Sequence, residues 1–496
     1  MFDPIQVGSR SGAKALVVGV FKGQSLDADT KSLDTDGSIA AACKRPEANG
    51  DAGSITEAFP AKGYDRVLIL GLGDKSGFDV SSFRNAGGAI GRALSKAKIG
   101  SVEFALSGAL GKLSKKSQVR SVDAGAMIGE GLGLVSWTYD DLRGTATDVR
   151  KSIKLTVQSD DKKFEDGLTR GLGMAEGSNL ARTLSQTPPN IATPAWIASE
   201  CKKLARKSGM KCTVMSGKKL EDEKMTGLIN VGKASENAPC MIRLEYTPSR
   251  GKSKAPIVLI GKTMTYDSGG LSIKVGGGMV GMKRDKDGGC GVIGAMQIIA
   301  NVIKPNRPVI ALLAAAENSI SDEAYRPDDV IEFRNGVSVE ITNTDAEGRL
   351  VMADALCWAC EKESPEFVVD MATLTGGVVV ALGSPYAGLW SNDDELVEQF
   401  GSAASASGEH VWRLPLHADY KAMMKSPIAD IVNSAPVREA HPIQGAAFLE
   451  HFVDDGIRWA HVDIAGTHST KQTKGPINPG PTGFGARLLA ELVERS

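Results

Sequence analysis

Apolar residues in the first third of the chain occur in short runs separated by helical or polar stretches. The runs AKALVVGVF (13–21), DRVLILGLG (65–73), SVEFALSG (101–108) and KSIKLTVQS (151–159) have the composition of strands. Residues 81–97 have a helical pattern. Alternating strands and helices predict a small N-terminal α/β domain over residues 1–165.

A change of pattern marks the expected junction between two domains. Helical spacing follows residue 165 and ends in the loop TPPNIATP (187–194), whose prolines break a helix. We therefore expect residues 166–195 to form a linker helix and loop, and residues 196–496 to form a second, larger domain. A length of 496 residues also suits two hydrophobic cores better than one.

The second domain has the pattern of buried strands alternating with helices. Strands are predicted at residues 255–261, 307–318, 338–345, 367–376 and 459–466, and helices at 288–303 and 349–362. This order favours a largely parallel or mixed sheet covered by helices on both faces, with ligand sites beyond the carboxyl ends of the strands. The predicted fold class is α/β with two domains.

Composition and charge narrow the range of partners. The chain has 58 basic and 59 acidic side chains, so no overall field attracts nucleic acid or an anionic membrane. Seven scattered cysteines favour a reducing cytoplasm over a disulfide scaffold. Without an export signal at its start or a run of eighteen apolar residues, the protein is expected to be cytoplasmic.

Acidic residues follow apolar segments at three places in the second domain. They lie in GKTMTYDSGGLSIK (261–274), GMKRDKDGG (281–289) and ITNTDAEGRL (341–350). Oxygen-rich sites without cysteine suit hard or borderline divalent cations, and paired cations usually share bridging carboxylates. The pattern predicts a two-metal site with the candidate ligands Lys262, Asp267, Asp285, Asp345 and Glu347.

Two lysines accompany these carboxylates. A lysine ligates a metal only as the neutral amine, which suits Lys262 at the end of a buried strand. Lys274 can stay charged and stabilise a developing oxyanion. All six histidines lie beyond residue 409, so we expect them to lie away from the site. A metal-bridging hydroxide is then the expected base.

The segments with these residues resemble the leucyl aminopeptidase family of cytosolic metallopeptidases, which includes bacterial aminopeptidase A. NTDAEGRL (343–350) looks like the family's signature. The resemblance extends to GKTMTYDSGGLSIK, MKRD, AENSISDEAYRPDDV, ATLTG, ARTLSQTPPN and WAHVDIAG. It covers residues from about Asn179 to the C terminus and implies an aminopeptidase with its catalytic metallopeptidase domain at 196–496.

The resemblance implies how the ligands are shared between two ions. Lys262, Asp267, Asp285 and Glu347 would bind the tighter ion. Asp267, Asp345 and Glu347 would bind the more exchangeable one, so that Asp267 and Glu347 bridge. The sequence does not identify the native ion; manganese and zinc are the expected ions, and magnesium and cobalt stay open.

The resemblance also implies catalytic and substrate-binding residues. Lys274 would polarise the scissile carbonyl, and Arg349 would hold a bicarbonate that relays the proton of the attacking water. The substrate would be a peptide with a free N-terminus, and the assembly a homohexamer. A pocket that favours leucine-like first side chains would be lined by Met282, Asn343, Ala346, Thr373, Leu374 and Gly376.

Some positions depart from the family's usual pattern. The family usually has Gly-Lys-Gly with Phe before the aspartate, and Asp-Met-Gly-Gly-Ala after the fourth ligand. This chain instead has Thr263, Tyr266, Lys286, Asp287 and Cys290. The added charges of Lys286 and Asp287 leave metal preference and pH dependence open.

Other functions remain as alternatives. One is a narrow dipeptidase, and another is a DNA-binding architectural role, as in relatives of aminopeptidase A. The first domain has only dispersed lysines, such as Lys112, Lys115 and Lys116, so nucleic acid is not the expected partner. A two-metal phosphohydrolase would gain nothing from a neutral lysine ligand or an apolar pocket.

Overall fold

The computed structural model of the protein describes residues 1–8, 12–76, 82–111, 120–149 and 151–496. They form two compact units, residues 1–176 with 471–479 and residues 177–470 with 480–496. The predicted α/β class, with a smaller N-terminal and a larger C-terminal domain, is confirmed. The expected boundaries at residues 165 and 195 stay a prediction.

A six-stranded sheet forms the centre of the first unit. Its strands are β1 (Phe2–Val7), β2 (Ala15–Val20), β3 (Ile55–Ala58), β4 (Arg66–Gly71), β5 (Ser101–Ala105) and β6 (Ile153–Ser159). The order is β1-β6-β5-β2-β4-β3, and all neighbours are parallel except β3 and β4. The four strands predicted in this region are confirmed as β2, β4, β5 and β6.

Helices accompany this sheet. They are α1 (Ala28–Leu33), α2 (Ser38–Ala42), α3 (Ser82–Lys96), α4 (Ser107–Leu110) and α5 (Ser121–Ser136), while α6 (Lys162–Gln186) contributes residues to both units. A side chain at Gly131 of α5 would place its Cβ 2.1 Å from the carbonyl oxygen of Arg84 in α3, so close helix packing requires glycine there. The predicted helix at 81–97 is confirmed from residue 82 onward. Lys112, Lys115 and Lys116 lie outside the described residues.

The second unit is built on an eight-stranded mixed sheet. The strands of this unit are β7 (Lys211–Ser216), β8 (Cys240–Tyr246), β9 (Ile257–Asp267), β10 (Val309–Asn318), β11 (Val330–Glu332), β12 (Ser338–Glu340), β13 (Phe367–Ala372), β14 (Ala387–Ser391), β15 (Val411–Arg413), β16 (Ile431–Val432), β17 (Trp459–Asp463), β18 (Ser469–Thr470) and β19 (Gly480–Pro481). The large sheet has the order β15-β14-β17-β13-β9-β10-β8-β7. β9, β10, β13 and β17 run parallel to one another, as their long buried runs predict.

Helices of the second unit alternate with these strands. They are α7 (Pro194–Ser208), α8 (Lys218–Asp222), α9 (Thr226–Gly232), α10 (Asp287–Ile298), α11 (Glu347–Glu363), α12 (Gly376–Leu382), α13 (Asp394–Ser407), α14 (Ala418–Ala422), α15 (His441–Leu449) and α16 (Ala486–Arg495). Short 3₁₀ turns cover Met282–Arg284 and Glu450–Phe452, and a π-helical turn covers Ile299–Ile303. The predicted helices at 288–303 and 349–362 correspond to α10 with its π-helical turn and to α11.

One predicted strand is largely wrong. Residues 338–345 were expected to form a strand, but only Ser338–Glu340 do so, and they pair in the small sheet β11-β12-β16. The backbone beyond Glu340 leaves the strand because the Asn433 side chain binds it at Thr342 and Asn343.

Parallel strands end together at one edge of the large sheet. Asp267 is the last residue of β9, Thr373 follows β13, and Asp463 ends β17. This is the edge at which ligand sites of open α/β sheets usually form. No helix among the described residues is long and apolar enough to cross a membrane.

Candidate metal centre

The structure brings the five predicted metal ligands together. Lys262 and Asp267 lie on β9, Asp285 follows the 3₁₀ turn Met282–Arg284, and Glu347 begins α11. Nζ of Lys262 is 2.9 Å from Oδ1 of Asp285 and 2.8 Å from Oε1 of Glu347. Carboxylate oxygens of Asp267, Asp345 and Glu347 lie within 4.8 Å of one another.

A glycine in the segment NTDAEGRL makes this convergence sterically feasible. A Cβ at Gly348 would lie 2.4 Å from Cε and 2.5 Å from Nζ of Lys262. Any side chain there would push the amine away from the carboxylates. The glycine therefore lets the start of α11 approach β9 closely enough for Lys262 to reach Glu347.

A tight turn returns the second lysine to the same cluster. Gly269 and Gly270 have φ angles of 88° and 63°, which favour glycine, and the amide of Gly269 donates to Oδ1 of Asp267 over 2.9 Å. Lys274 follows this turn, and its Nζ lies 2.7 Å from Oδ2 of Asp267 and 2.5 Å from Oδ1 of Asp345.

The electrostatics of the cluster fit divalent cations. With all groups ionised, four carboxylates face two lysine ammonium groups, which gives the protein groups a formal excess of two negative charges. Oδ2 of Asp285 is buried and has no hydrogen-bond partner among the described residues. Buried, unpaired carboxylate oxygens are costly unless a cation binds them, so this donor set suits hard divalent ions.

The pKa values of these groups reflect burial and mutual charge. Burial opposes the charged form of Lys262, but the charges of Asp285, Glu347 and Asp267 outweigh it and raise its pKa above the usual range. Burial and the charge of Asp267 raise the pKa of Asp345 to about 6. A cation bound through the Lys262 amine must therefore displace its proton.

Side chains outside the predicted set hold the ligand segments in place. Nδ2 of Asn318 donates to Oδ1 of Asp267 over 2.9 Å and to the carbonyl of Thr344 over 3.0 Å. The hydroxyl of Tyr325 donates to the same carbonyl over 2.7 Å. The Asn433 side chain accepts from the amide of Thr342, and sequence reasoning identified none of these three supports.

Arg349 is buried in the first turn of α11. Its Nη1 donates to the Asn433 carbonyl over 2.8 Å, and its guanidinium carbon lies 5.9 Å from the centre of the Phe448 ring. Burial lowers the pKa of Arg349 to about 10, against the opposing charges of Glu347 and Asp463. Nε has no hydrogen-bond partner among the described residues, so the group retains capacity for an anion.

The cluster opens into a cavity of about 300 Å³. It is lined by all five candidate ligands and by Lys274 and Arg349. The wall also includes every residue predicted to bind the first side chain, namely Met282, Asn343, Ala346, Thr373, Leu374 and Gly376. The roles of these residues stay predictions, but the structure places them around one space.

Two histidines lie at the cavity, where the sequence did not predict them. His441 and His468 line the cavity, so the expectation that all six histidines lie away from the site is wrong for these two. β17 lies beside β13, and the loop that follows β17 therefore reaches the same sheet edge as the ligands. Distance along the chain gave no indication of this neighbourhood.

The added charged residues Lys286 and Asp287 both have hydrogen-bond partners within the protein. Lys286 is buried, and its Nζ donates to the carbonyls of Ser185 (3.2 Å), Thr187 (3.1 Å) and Lys283. Oδ2 of Asp287 lies 2.8 Å from Nδ1 of His468. These side chains thus support the segment around Asp285 from outside the carboxylate cluster.

Known proteins are similar to this chain over nearly its whole length. The catalytic domain of the cytosol aminopeptidase family matches residues 179–490, and its N-terminal domain matches residues 17–145. A probable cytosol aminopeptidase of Aquifex aeolicus is 37% identical over 483 residues, 97% of this chain and 95% of the relative. Another, of Desulfovibrio desulfuricans, is 44% identical over 324 residues, 65% of this chain and 64% of the relative.

Two solved structures are also similar to this chain over nearly its whole length. A mutant leucine aminopeptidase of tomato has a TM-score of 0.86 and 30% identity, covering 99% of this chain and 96% of that one. The bottromycin maturation enzyme BotP, solved in complex with Mn, has a TM-score of 0.84 and 31% identity, covering 97% and 99%.

Proposed function

Since the chain belongs to the cytosol aminopeptidase family and is a metal-dependent aminopeptidase, we propose that it binds two divalent cations and releases leucine-like N-terminal residues from peptides. The observation that carries the proposal is the convergence of four carboxylates and two lysines at the floor of one cavity. When bound, such ions supply Lewis acidity and a water that ionises near neutral pH.

The proposed ligand sets follow the contacts within the cluster. Lys262 contacts both Asp285 and Glu347, and these three residues, with Asp267, would hold the tighter ion. Asp267, Asp345 and Glu347 offer three mutually close oxygens and would hold the more exchangeable ion. Asp267 and Glu347 would then bridge both. Manganese and zinc are the first candidates, with magnesium and cobalt also compatible with an oxygen-rich set.

Two cationic residues are proposed to act on the reacting groups. Lys274, held between Asp267 and Asp345, would direct its ammonium at the scissile carbonyl and stabilise the oxyanion that develops there. Arg349 would hold bicarbonate as the base that accepts a proton from the attacking water. Its support is a buried guanidinium that lines the cavity with an unpaired Nε.

The cavity wall sets the proposed substrate preference. Met282 and Leu374 give the wall an apolar side that suits a leucine-like first side chain, with Ala346 and Gly376 leaving room for it. A carboxylate cluster with bound cations would interact most favourably with the free α-amine of a peptide. The enzyme would therefore trim peptide ends and spare internal bonds.

The cellular setting and assembly are also proposals. We propose that the enzyme works in the cytoplasm, since its seven cysteines are free thiols. A homohexamer is proposed from the family resemblance alone, and light scattering of the purified protein would test it. A mass of one or two chains in solution would refute the hexamer.

The proposed function is tested with a matched pair of substrates. Leucine p-nitroanilide and its N-acetylated form are offered to chelator-treated enzyme before and after each divalent ion is restored. We expect metal-dependent cleavage of the free amine only, and its loss in Asp345→Ala. Cleavage of both substrates, or cleavage that persists without metal, would contradict the proposal.

A further inference from the structure

An acidic side chain outside the proposed mechanism holds His468 at the cavity wall. Nδ1 of His468 lies 2.8 Å from Oδ2 of Asp287, at the start of α10. The Asp287 side chain is only 6% exposed, whereas that of His468 is 21% exposed and lines the cavity. Within the described part of the chain the ring makes no other hydrogen bond, so Nε2 keeps its hydrogen-bonding capacity.

Backbone contacts place this ring beside the proposed pocket for the first side chain. The amides of Leu374 and Ala465 both donate to Oδ1 of Asp463, each over 3.1 Å. The turn after Asp463 is closed by the amide of His468, which donates to the carbonyl of Ile464 over 3.0 Å. Leu374, Ala465 and His468 therefore belong to one stretch of wall, and all three line the cavity.

The same ring is also close to the carboxylate cluster. Asp287 follows the candidate ligand Asp285 by two residues, and Oδ1 of Asp285 accepts from the Thr373 hydroxyl over 2.8 Å. Thr373 in turn precedes Leu374. His468 is thus bonded to the segment that carries Asp285 and lines the same cavity as Leu374, beside which the first side chain of a substrate is proposed to extend.

The hydrogen-bonding capacity of the ring points to one class of side chain. The Asp287 oxygen beside Nδ1 is a hydrogen-bond acceptor, so Nδ1 of His468 is assigned as the donor of this bond. Nε2 then accepts when the ring is neutral and donates when it is protonated. A side-chain amide both donates and accepts, so it can pair with Nε2 in either state.

We propose that His468, oriented by Asp287, is a specificity-determining residue that contacts the first side chain of the substrate and admits the amides of asparagine and glutamine beside leucine. The inference rests on the proposed function and deepens it, because it adds a polar contact to a pocket that is otherwise apolar on the Met282 and Leu374 side. The competing interpretation is that the Asp287–His468 pair only joins two segments of the fold.

The test compares glutamine and leucine p-nitroanilides in the metal-loaded enzyme. In His468→Leu we expect the ratio of kcat/KM for glutamine to that for leucine to fall about tenfold, the value of one hydrogen bond. Asp287→Ala, which releases the ring, should lower the same ratio. The control His417→Leu removes a surface histidine that also faces an aspartate, Asp419, and should leave the ratio unchanged.

Several results would overturn the inference. An unchanged ratio in His468→Leu would leave only the joining role, and a preference for glutamate over glutamine would refute the assignment to amides. The thermal unfolding temperature in the presence of free glutamine or leucine reports binding to the same contact without catalysis. It can therefore also be measured in a variant that has lost activity. Equal stabilisation by glutamine in wild type and His468→Leu would contradict the proposed contact with His468. If instead no substrate is cleaved with any ion, the proposed function is refuted.

Discussion

The substitution Asn433→Ala is expected to loosen the loop that carries Asp345, because this one buried side chain binds the loop at several backbone groups. Oδ1 of Asn433 accepts from the amides of Thr342 (2.8 Å) and Asn343 (3.2 Å), and Nδ2 donates to the carbonyl of Asn343 over 2.6 Å. Alanine leaves these three groups without their partner. At about 1 kcal/mol for each lost hydrogen bond to these partly buried groups, the free energy of unfolding should fall by about 3 kcal/mol.

Activity should fall together with stability in this variant. A shift of about 1 Å in a catalytic group can cost about 100-fold, so kcat/KM for leucine p-nitroanilide is expected to decrease on that order. Urea unfolding and steady-state kinetics measure the two effects. The control Asn335→Ala removes an exposed asparagine whose side chain donates to the carbonyl of His451 and accepts from the amide of Val337. Because both bonds are exposed to water, stability should change by less than about 0.5 kcal/mol. Wild-type stability and activity in Asn433→Ala would refute the reasoning.

Three further changes have distinct expected effects. Lys274→Met should lower kcat for leucine p-nitroanilide by about 100-fold or more with little change in KM, since an oxyanion contact acts in the transition state; a raised KM with unchanged kcat would contradict this. Lys286→Met leaves three backbone carbonyls without their donor and should lower the free energy of unfolding by about 2 kcal/mol, measured in urea; an unchanged urea midpoint would argue against it. Burial raises the pKa of Asp354 from 3.8 to about 8. The free energy of unfolding that this carboxyl contributes is therefore largest below pH 3.8, and it is lost as pH rises toward 8. Asp354→Asn should therefore gain stability relative to wild type between pH 4 and pH 8, and parallel pH profiles from urea unfolding would refute the assignment.

The ligand segments could be predicted because each has its chemistry in a short local pattern. Lys262 and Asp267 end a buried apolar run, and Asp345 and Glu347 lie between a strand and a helix. The rule that ligand sites form at the carboxyl edge of a parallel sheet was enough to expect their convergence. The structure adds the reason for Gly348, whose missing side chain leaves space for Lys262.

The groups that support the ligands could not be found in the same way. Asn433 binds residues about 90 positions earlier in the chain, and Asn318 reaches Asp267 only because β10 pairs with β9 in parallel. An isolated asparagine or histidine has no local pattern that predicts such contacts. His468 escaped prediction for this reason, since strand order decides its position.

The number of ions bound tests the central claim most directly. Metal-free enzyme is titrated with manganese, and bound metal is measured by elemental analysis and calorimetry together with activity. We predict two ions per chain in wild type, and one retained ion without activity in Asp345→Ala, which lacks a ligand of the exchangeable position only. Full activity with one ion per chain, or two ions in the active Asp345→Ala variant, would contradict the two-metal account.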